Sequence, residues 1–405
     1  MAELSQSIDE VVRLEKSRVV GALMRGLGNL DTAEEAFQEA VLAALSSWHH
    51  GVPANPAAWL TTAARNFIRD TWRHQRIVDA RAPFLLEDDK VSPQTPDSIA
   101  DDQLRLIFTC CHPALTLDSQ VALTLKVVAG FTTDEIARAF LCPEKTITQR
   151  ITRAKKAIDE QHLPYEVPER AELPERLAPV LAVVYLVFNE GHTTHQGPLM
   201  RLDLQAESLR LAHLLCDLLP NESEVFGLFS LIALSIARAG TRTDERGDLL
   251  LLSEQDRSRW DRRAIKEGLV ALQRTRRLGG SGPYTVQAEI SACHATAPTW
   301  AATDWREILR CYDHLWALSL SPVVALNRAV AVCMYRGPAA GLEALVEIEA
   351  MLSSYHLFFA LRADFRTRLG QDARDDYQRA LSLASNESER RFLRRKIDLA
   401  NPGAM

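Results

Sequence analysis

Apolar residues recur at every third or fourth position along most of the chain, and strand-like alternation is scarce. That period belongs to helices with one buried face. Glycine and proline gather between the periodic stretches, which marks turns between helices. The pattern predicts an all-α protein in three helical blocks. The first covers residues 1–78; it contains a loop, HHGVPANP, followed by a last helix from Ala57. Residues 79–98, DARAPFLLEDDKVSPQTPDS, hold three prolines and a run of acids and read as a linker. The second block covers 99–161 and, after a proline-containing connector, the third covers 175–402.

The second block carries a helix-turn-helix pattern in residues 131–158, FTTDEIARAFLCPEKTITQRITRAKKAI. Thr133 is placed to cap a first helix, with Asp134 and Glu135 in its positive first turn. Leu141 and Cys142 form the turn. Pro143 suits the first position of a second helix, where its missing N–H costs nothing. On that helix Ile147, Ile151, Ala154 and Ile158 make an apolar stripe. Lys145, Gln149, Thr152 and Lys156 fall opposite, flanked by Thr146, Thr148 and Arg153. Such a helix suits a major groove, where Lys, Arg and Gln read base edges at roughly 1–3 kcal/mol per bidentate pair. Arg150 and Lys155 are placed for phosphate. A solvated charged face would carry the same charges; the capped first helix, the tight turn and Ala137 at the helix contact favour DNA.

The first block ends on PAAWLTTAARNFIRDTWRHQR, residues 56–76. Leu60, Ala64, Phe67, Ile68 and Thr71 share one face. Arg65, Arg69, Arg73 and Arg76 form a ladder opposite, with Trp59 and Trp72 near the edges. Arginines that track phosphates beside rings that stack on bases suit a single strand, at roughly 1–3 kcal/mol per stacked base. The alternative is that the tryptophans are core and the arginines merely solvated. Upstream, DTAEEAFQEAVLAALSSW starts on Asp31 as a cap. It sets Glu34, Glu35, Gln38 and Glu39 beside an apolar stripe of Ala36, Ala40 and Leu42. That acid–amide face points to a protein partner, or simply to solvent.

Composition narrows this picture. The 405 residues carry a net charge of -6, whereas a protein that finds DNA by charge alone is usually basic. The DNA surface must therefore be local, or docking must be assisted by a partner. Seven cysteines without paired spacings fit a reducing cytoplasm. The N-terminus has no apolar signal core, and the run LAPVLAVVYLVF is too short to cross a bilayer, so a cytoplasmic protein with no membrane partner is expected.

In this order, and with this linker, the first two blocks resemble extracytoplasmic-function sigma factors over about residues 8–160. DTAEEAFQEA resembles the region-two helix that docks on the β′ clamp helices of RNA polymerase. WLTTAARNFIRDTWRHQR resembles the helix that melts and reads the minus-ten element. The helix-turn-helix resembles region four, which reads the minus-thirty-five element. The resemblance implies core RNA polymerase (β′ clamp helices and β flap) and promoter DNA as partners, with no catalysis and no cofactor. It implies polymerase contacts at Asp31, Glu34, Glu35, Gln38 and Glu39. It implies minus-ten contacts at Trp59, Arg65, Asn66, Arg69, Asp70, Arg73 and Arg76, with His49, His50 and Asn55 in the base-selecting loop. Leu141 and Lys145 stand where Gly is common in the family, so promoter preference is expected to differ.

The third block resembles the long extension of one subgroup of these factors, in FNEGH (188–192), RLDLQAESLRL (201–211), LLSEQDRSRWD (251–261), GPYTVQAEISACHA (282–295), TDW (303–305) and SPVVALNRAVAV (321–332). The resemblance implies regulation in cis. Near the end Ala373, Tyr377 and Ala380 have the small–large–small spacing of a tetratricopeptide helix pair. A TPR-like regulatory domain, open to a regulatory protein or ligand, is expected. Two other readings stay open: a ligand-responsive helix-turn-helix regulator, and an enzyme built around Glu190 with His192 and His195. Cys110, Cys111 and His112, with Cys142, could ligate zinc but read better as buried helix. The cluster Gln255, Asp256, Arg257, Trp260 and Asp261 reads either as a helix junction or as a recognition surface.

Overall fold

The computed structural model describes residues 2–75, 96–140, 142–192, 200–244 and 248–399. The expected linker lies almost wholly outside these residues, as do Arg76, Leu141 and His195, and the side chains of His50 and Arg73 are likewise not described. No strand occurs among the described residues. The chain forms two compact units, residues 1–187 and 188–405.

The first unit opens with helices α1 (Ala2–Leu27), α2 (Leu30–Ser47) and α3 (Pro56–Gln75). They close over Leu23, Leu30, Ala36, Leu60, Ala64 and Ile68, all at most 2% exposed. The α2 cap is Asn29, whose Oδ1 accepts from the Thr32 N–H, rather than Asp31. Helix α4 (Pro96–Cys110) crosses α1 at Gly21, where a Cβ would stand 2.9 Å from the Asp102 carbonyl oxygen. The Tyr165 hydroxyl locks that crossing by donating to the carbonyls of Gly21 and Asp102 at 2.8 and 3.0 Å.

Helices α5 (Leu117–Val127), α6 (Thr133–Ala139) and α7 (Glu144–Glu160) complete the helix-turn-helix. The expected stripe of Ile147, Ile151, Ala154 and Ile158 is buried. Two caps sit one residue from their expected places. Thr132, not Thr133, caps α6 in a reciprocal capping box with Glu135, and Pro143 is the residue before α7 rather than its first turn. Cys110 and Cys111 are fully buried, and burial pushes the Cys111 thiol up to about 12. Helix α8 (Leu173–His192) contains the boundary between the units.

The second unit is a chain of helices, each packed on its successor: α9 (Leu202–Leu218), α10 (Ser223–Ile236), α11 (Arg262–Arg277), α12 (Pro283–Thr296), α13 (Trp305–Leu318), α14 (Pro322–Arg336), α15 (Pro338–Val346), α16 (His356–Arg368), α17 (Arg374–Leu383) and α18 (Glu387–Leu399). The segment Ser223–Thr241 is long and apolar enough to cross a membrane, but most of it is buried as a core helix. Gly227 lets α10 approach α12, since a Cβ there would meet the Thr285 nitrogen at 2.7 Å. Glu224 sits on the N-terminus of α12, accepting from the Tyr284 N–H at 2.8 Å, where the helix dipole favours a carboxylate. Ala373, Tyr377 and Ala380 are buried, as their spacing predicts.

The polar–aromatic cluster holds a helix junction. Trp260 is 4% exposed, and its indole N–H donates to Thr241 Oγ1 at 3.0 Å. Arg257 lies over the Trp260 ring and donates to the carbonyls of His294 and Ala297. Asp261 caps α11 by accepting from the N–H groups of Arg263 and Ala264.

Candidate nucleic-acid and polymerase interface

The outer face of α7 is open. Lys145, Thr148, Gln149, Thr152, Arg153 and Lys156 are exposed, and Thr146 is half-buried. Lys145 and Arg153 have no ion-pair partner among the described residues, so both charges are available to an incoming anion. Arg150, in contrast, is half-buried and paired with Asp118 of α5 at 2.6 Å. The Lys156 ammonium reaches Glu160 at 3.5 Å, one turn along the same helix. The buried stripe aims the whole exposed row away from the core, which is the arrangement a groove-reading helix requires.

The minus-ten candidates lie on α3 and in the turn before it. Asn66 and Asp70 are exposed; Arg65 and Arg69 are half-buried. The Arg69 guanidinium donates to Asn66 Oδ1 at 3.3 Å. Trp59 is half-buried and stands edge-to-face on the buried Trp48, with ring centroids 5.3 Å apart. One side of Trp59 is thus packed against the core and the rest is accessible. Asn55 uses its Oδ1 to accept from the Ala58 N–H at 3.1 Å and so starts α3. His49 is exposed, and its ring nitrogen lies 3.1 Å from the Ser46 carbonyl oxygen.

The polymerase candidates divide. Glu35, Gln38 and Glu39 are exposed on α2. Glu34 is buried at 4%, clamped between two ammonium groups: Lys16 of α1 at 2.9 Å and Lys155 of α7 at 2.8 Å. Lys155 also reaches Asp31 at 2.6 Å. Burial by itself would push the Glu34 carboxyl up, yet the two lysines override it and hold it below the usual carboxylate range. Lys155 moves the other way: burial opposes its charge, and Glu34 and Asp31 raise it above the ordinary lysine value.

Neighbouring contacts extend this clasp. Arg13 pairs with Glu135 at 2.9 Å and lies 4.9 Å from the Phe131 ring centroid. Asn29 Nδ2 donates to Asp159 at 3.2 Å, and Gln103 Nε2 donates to Ser17 Oγ at 2.9 Å. Lys155 therefore does not face a phosphate in this arrangement, and Glu34 does not face solvent. Sequence reasoning passed over α1 altogether. The signal there was Lys16 between Val12 and Val20, a charge on an apolar i, i+4 row.

No group of three His, Cys, Asp or Glu side chains that could hold a metal ion occurs among the described residues. Burial, together with the nearby Arg242 and Arg238, pushes His192 well below its usual range, and its carbonyl accepts from Arg242. The FNEGH segment thus forms the C-terminal end of α8, and His195 lies outside the described residues.

A basic helix beside an acidic one, followed by a helix-turn-helix, is the arrangement of a helical DNA-directed factor. Comparison with known proteins gives the class a family. Residues 11–77 match Sigma-70 region 2 and residues 105–158 match Sigma-70, region 4. Residues 176–276 match a family of unknown function (DUF6596). The chain is 42% identical to an uncharacterized protein of Rhizobium meliloti (strain 1021) over 96% of its own length and 95% of that protein. It is 30% identical to the ECF RNA polymerase sigma factor EcfG of Rhodopseudomonas palustris (strain TIE-1), over 32% of this chain and 71% of that one. It is 34% identical to the RNA polymerase sigma factor CarQ of Myxococcus xanthus, over 29% of this chain and 68% of that one. The chain belongs to the extracytoplasmic-function sigma factors, and it carries a long helical C-terminal extension.

Proposed function

We propose that this sigma factor reads the minus-thirty-five duplex with the exposed face of α7 and holds the melted minus-ten strand on α3. Glu35, Gln38 and Glu39 meet the β′ clamp helices, and region four meets the β flap. The observation that carries this reading is the polar row of α7 set over a fully buried apolar stripe. The protein works in the cytoplasm as an initiation factor without chemistry of its own. The region-two match at 11–77 weighs against a free-standing repressor, which has no use for a strand-holding helix.

The clasp adds a state to this function. With Lys155 bound to Glu34 and Asp31, part of the polymerase face and part of the recognition helix satisfy each other. We read this as the resting form, which opens when core polymerase binds. The second unit, TPR-like in its helix pairing, modulates that opening in cis.

Run-off transcription with core polymerase tests the assignment. Arg69→Glu combined with Arg73→Glu should abolish initiation and leave core binding by pull-down intact; unchanged transcripts would sink the strand-holding role. A truncation that asks about the extension belongs after residue 187 rather than 161. A cut at 161 removes Tyr165, which pins α1 to α4.

A further inference from the structure

The second unit contains a cavity of about 530 Å3 that the sigma function leaves unused. It lies between α13 and α14 on one side and α16 and α18 on the other, with Leu249–Ser253 along one edge. Its size falls within the roughly 300–1,000 Å3 of small-molecule sites.

One wall is aromatic. Trp305 stands edge-to-face on Trp300, centroids 4.8 Å apart, and on His294 at 5.4 Å. Burial drives His294 down to about 4, so this wall carries no charge at neutral pH. The other walls mix aliphatic residues, Val330, Leu361 and Leu393 among them, with further rings at Tyr312, Tyr355 and Phe392. At the margin Arg368 pairs with Asp364 at 2.8 Å, and the His356 ring nitrogen Nε2 lies 3.2 Å from a Glu389 carboxylate oxygen. Lys396 differs. Among the described residues its ammonium faces only the Phe392 ring, 5.4 Å from the centroid.

We propose that this cavity binds a small amphiphilic anion, a flat aromatic acid whose rings lie against Trp300 and Trp305 and whose acid group meets Lys396. Planar rings gain most from the edges and faces that this wall offers. An ammonium half-removed from water and lacking a carboxylate partner gains most from an incoming anion. The proposal deepens the regulatory reading of the second unit by naming the class of effector, and it stands or falls on binding alone.

The test uses full-length protein without polymerase and the probe 1-anilinonaphthalene-8-sulfonate, an aromatic sulfonate with a planar naphthalene ring. Fluorescence titration should show one saturable site per chain. Lys396→Gln should weaken it about tenfold, the ratio that roughly 1.4 kcal/mol corresponds to. Leu361→Trp, which fills the cavity, should abolish it; Val330→Phe serves the same purpose if Leu361→Trp does not fold. The uncharged N-phenyl-1-naphthylamine should bind more weakly than the sulfonate. Sulfonate binding that survives both Lys396→Gln and a folded cavity-filling variant would overturn the proposal. So would equal affinity for the uncharged probe, or capture of an extended peptide in place of the sulfonate. Because polymerase is absent, failure here leaves cis regulation standing, whereas a truncation without effect on transcription would remove that regulation and leave the binding site.

Discussion

Two carboxylates in this molecule are equally buried and differently held. Glu34 of the first unit and Asp376 of the second are each 4% exposed. Asp376 is gripped by two guanidinium groups, Arg362 at 2.6 Å and Arg366 at 2.8 Å. Both come from the preceding helix, 14 and 10 residues away. Glu34 is gripped by two ammonium groups, and one of them, Lys155, arrives from far along the chain on α7, the helix proposed to read DNA. A guanidinium fork is pre-organised for a carboxylate; an ammonium is a mobile point charge on a flexible stem. The Asp376 knot joins two helices adjacent in sequence, α16 and α17. On the proposed function, the Glu34 clasp joins two surfaces that each meet another partner, and it should come apart.

The largest effect is expected at the knot. Asp376→Ala leaves Arg362 and Arg366 without their shared carboxylate; Arg362 keeps Glu349 at 2.5 Å. Losing one partner of a buried pair costs about 3–5 kcal/mol. Urea unfolding followed by hydrogen exchange in α16–α18 should show that loss in the second unit, with the first unit unchanged. A cost below about 1 kcal/mol, the scale of surface pairs, would mean that the knot is no more structural than the clasp.

Lys155→Glu should cost less in stability, about 1–3 kcal/mol, because Lys16 remains beside Glu34. Its effect on function should be larger. With the clasp broken, more of the protein is open, and pull-down on core polymerase without DNA should retain more of it than of the native chain. Equal retention would show that the clasp does not hold a resting state, and the contrast with Asp376 would reduce to packing.

This contrast also marks how far the sequence could be read. The stripe on α7 was legible because all four of its apolar residues lie within twelve positions on one helical period. The exposed face of α2 was legible in three of its acid–amide residues. Glu34 was not, because its burial depends on Lys155, and no local pattern connects residues so far apart. Caps slipped by one or two residues, at Asn29, Thr132 and Pro143, because Ser, Thr, Asp and Asn neighbours compete and only side-chain geometry chooses among them. The cavity was invisible for the same reason as the clasp: its lining comes from several segments between Leu249 and Lys396.

The gentlest way to separate clasp from knot is acid. The folded state holds Glu34 below its ordinary value of 4.5, since the two lysines outweigh the burial that opposes them. A carboxyl lowered on folding contributes stability that is full above the unfolded value and is lost as pH falls through the folded one. Lys155, raised above 10.5, contributes stability that is full below that value and is lost only as pH climbs past the folded one. The window for opening the clasp is therefore acidic, from about 4.5 downward, with nothing expected between neutrality and pH 9 from these two groups. Acid neutralises Glu34 without reversing any charge, so its effect should fall below that of Lys155→Glu. Hydrogen exchange corrected for intrinsic rates should show α2 and the second half of α7 losing protection together as pH drops below 4.5. If the two helices lose protection at different pH values, Lys155 and Glu34 are not one coupled joint, and the resting form must be held by the Arg13–Glu135 and Asn29–Asp159 contacts instead.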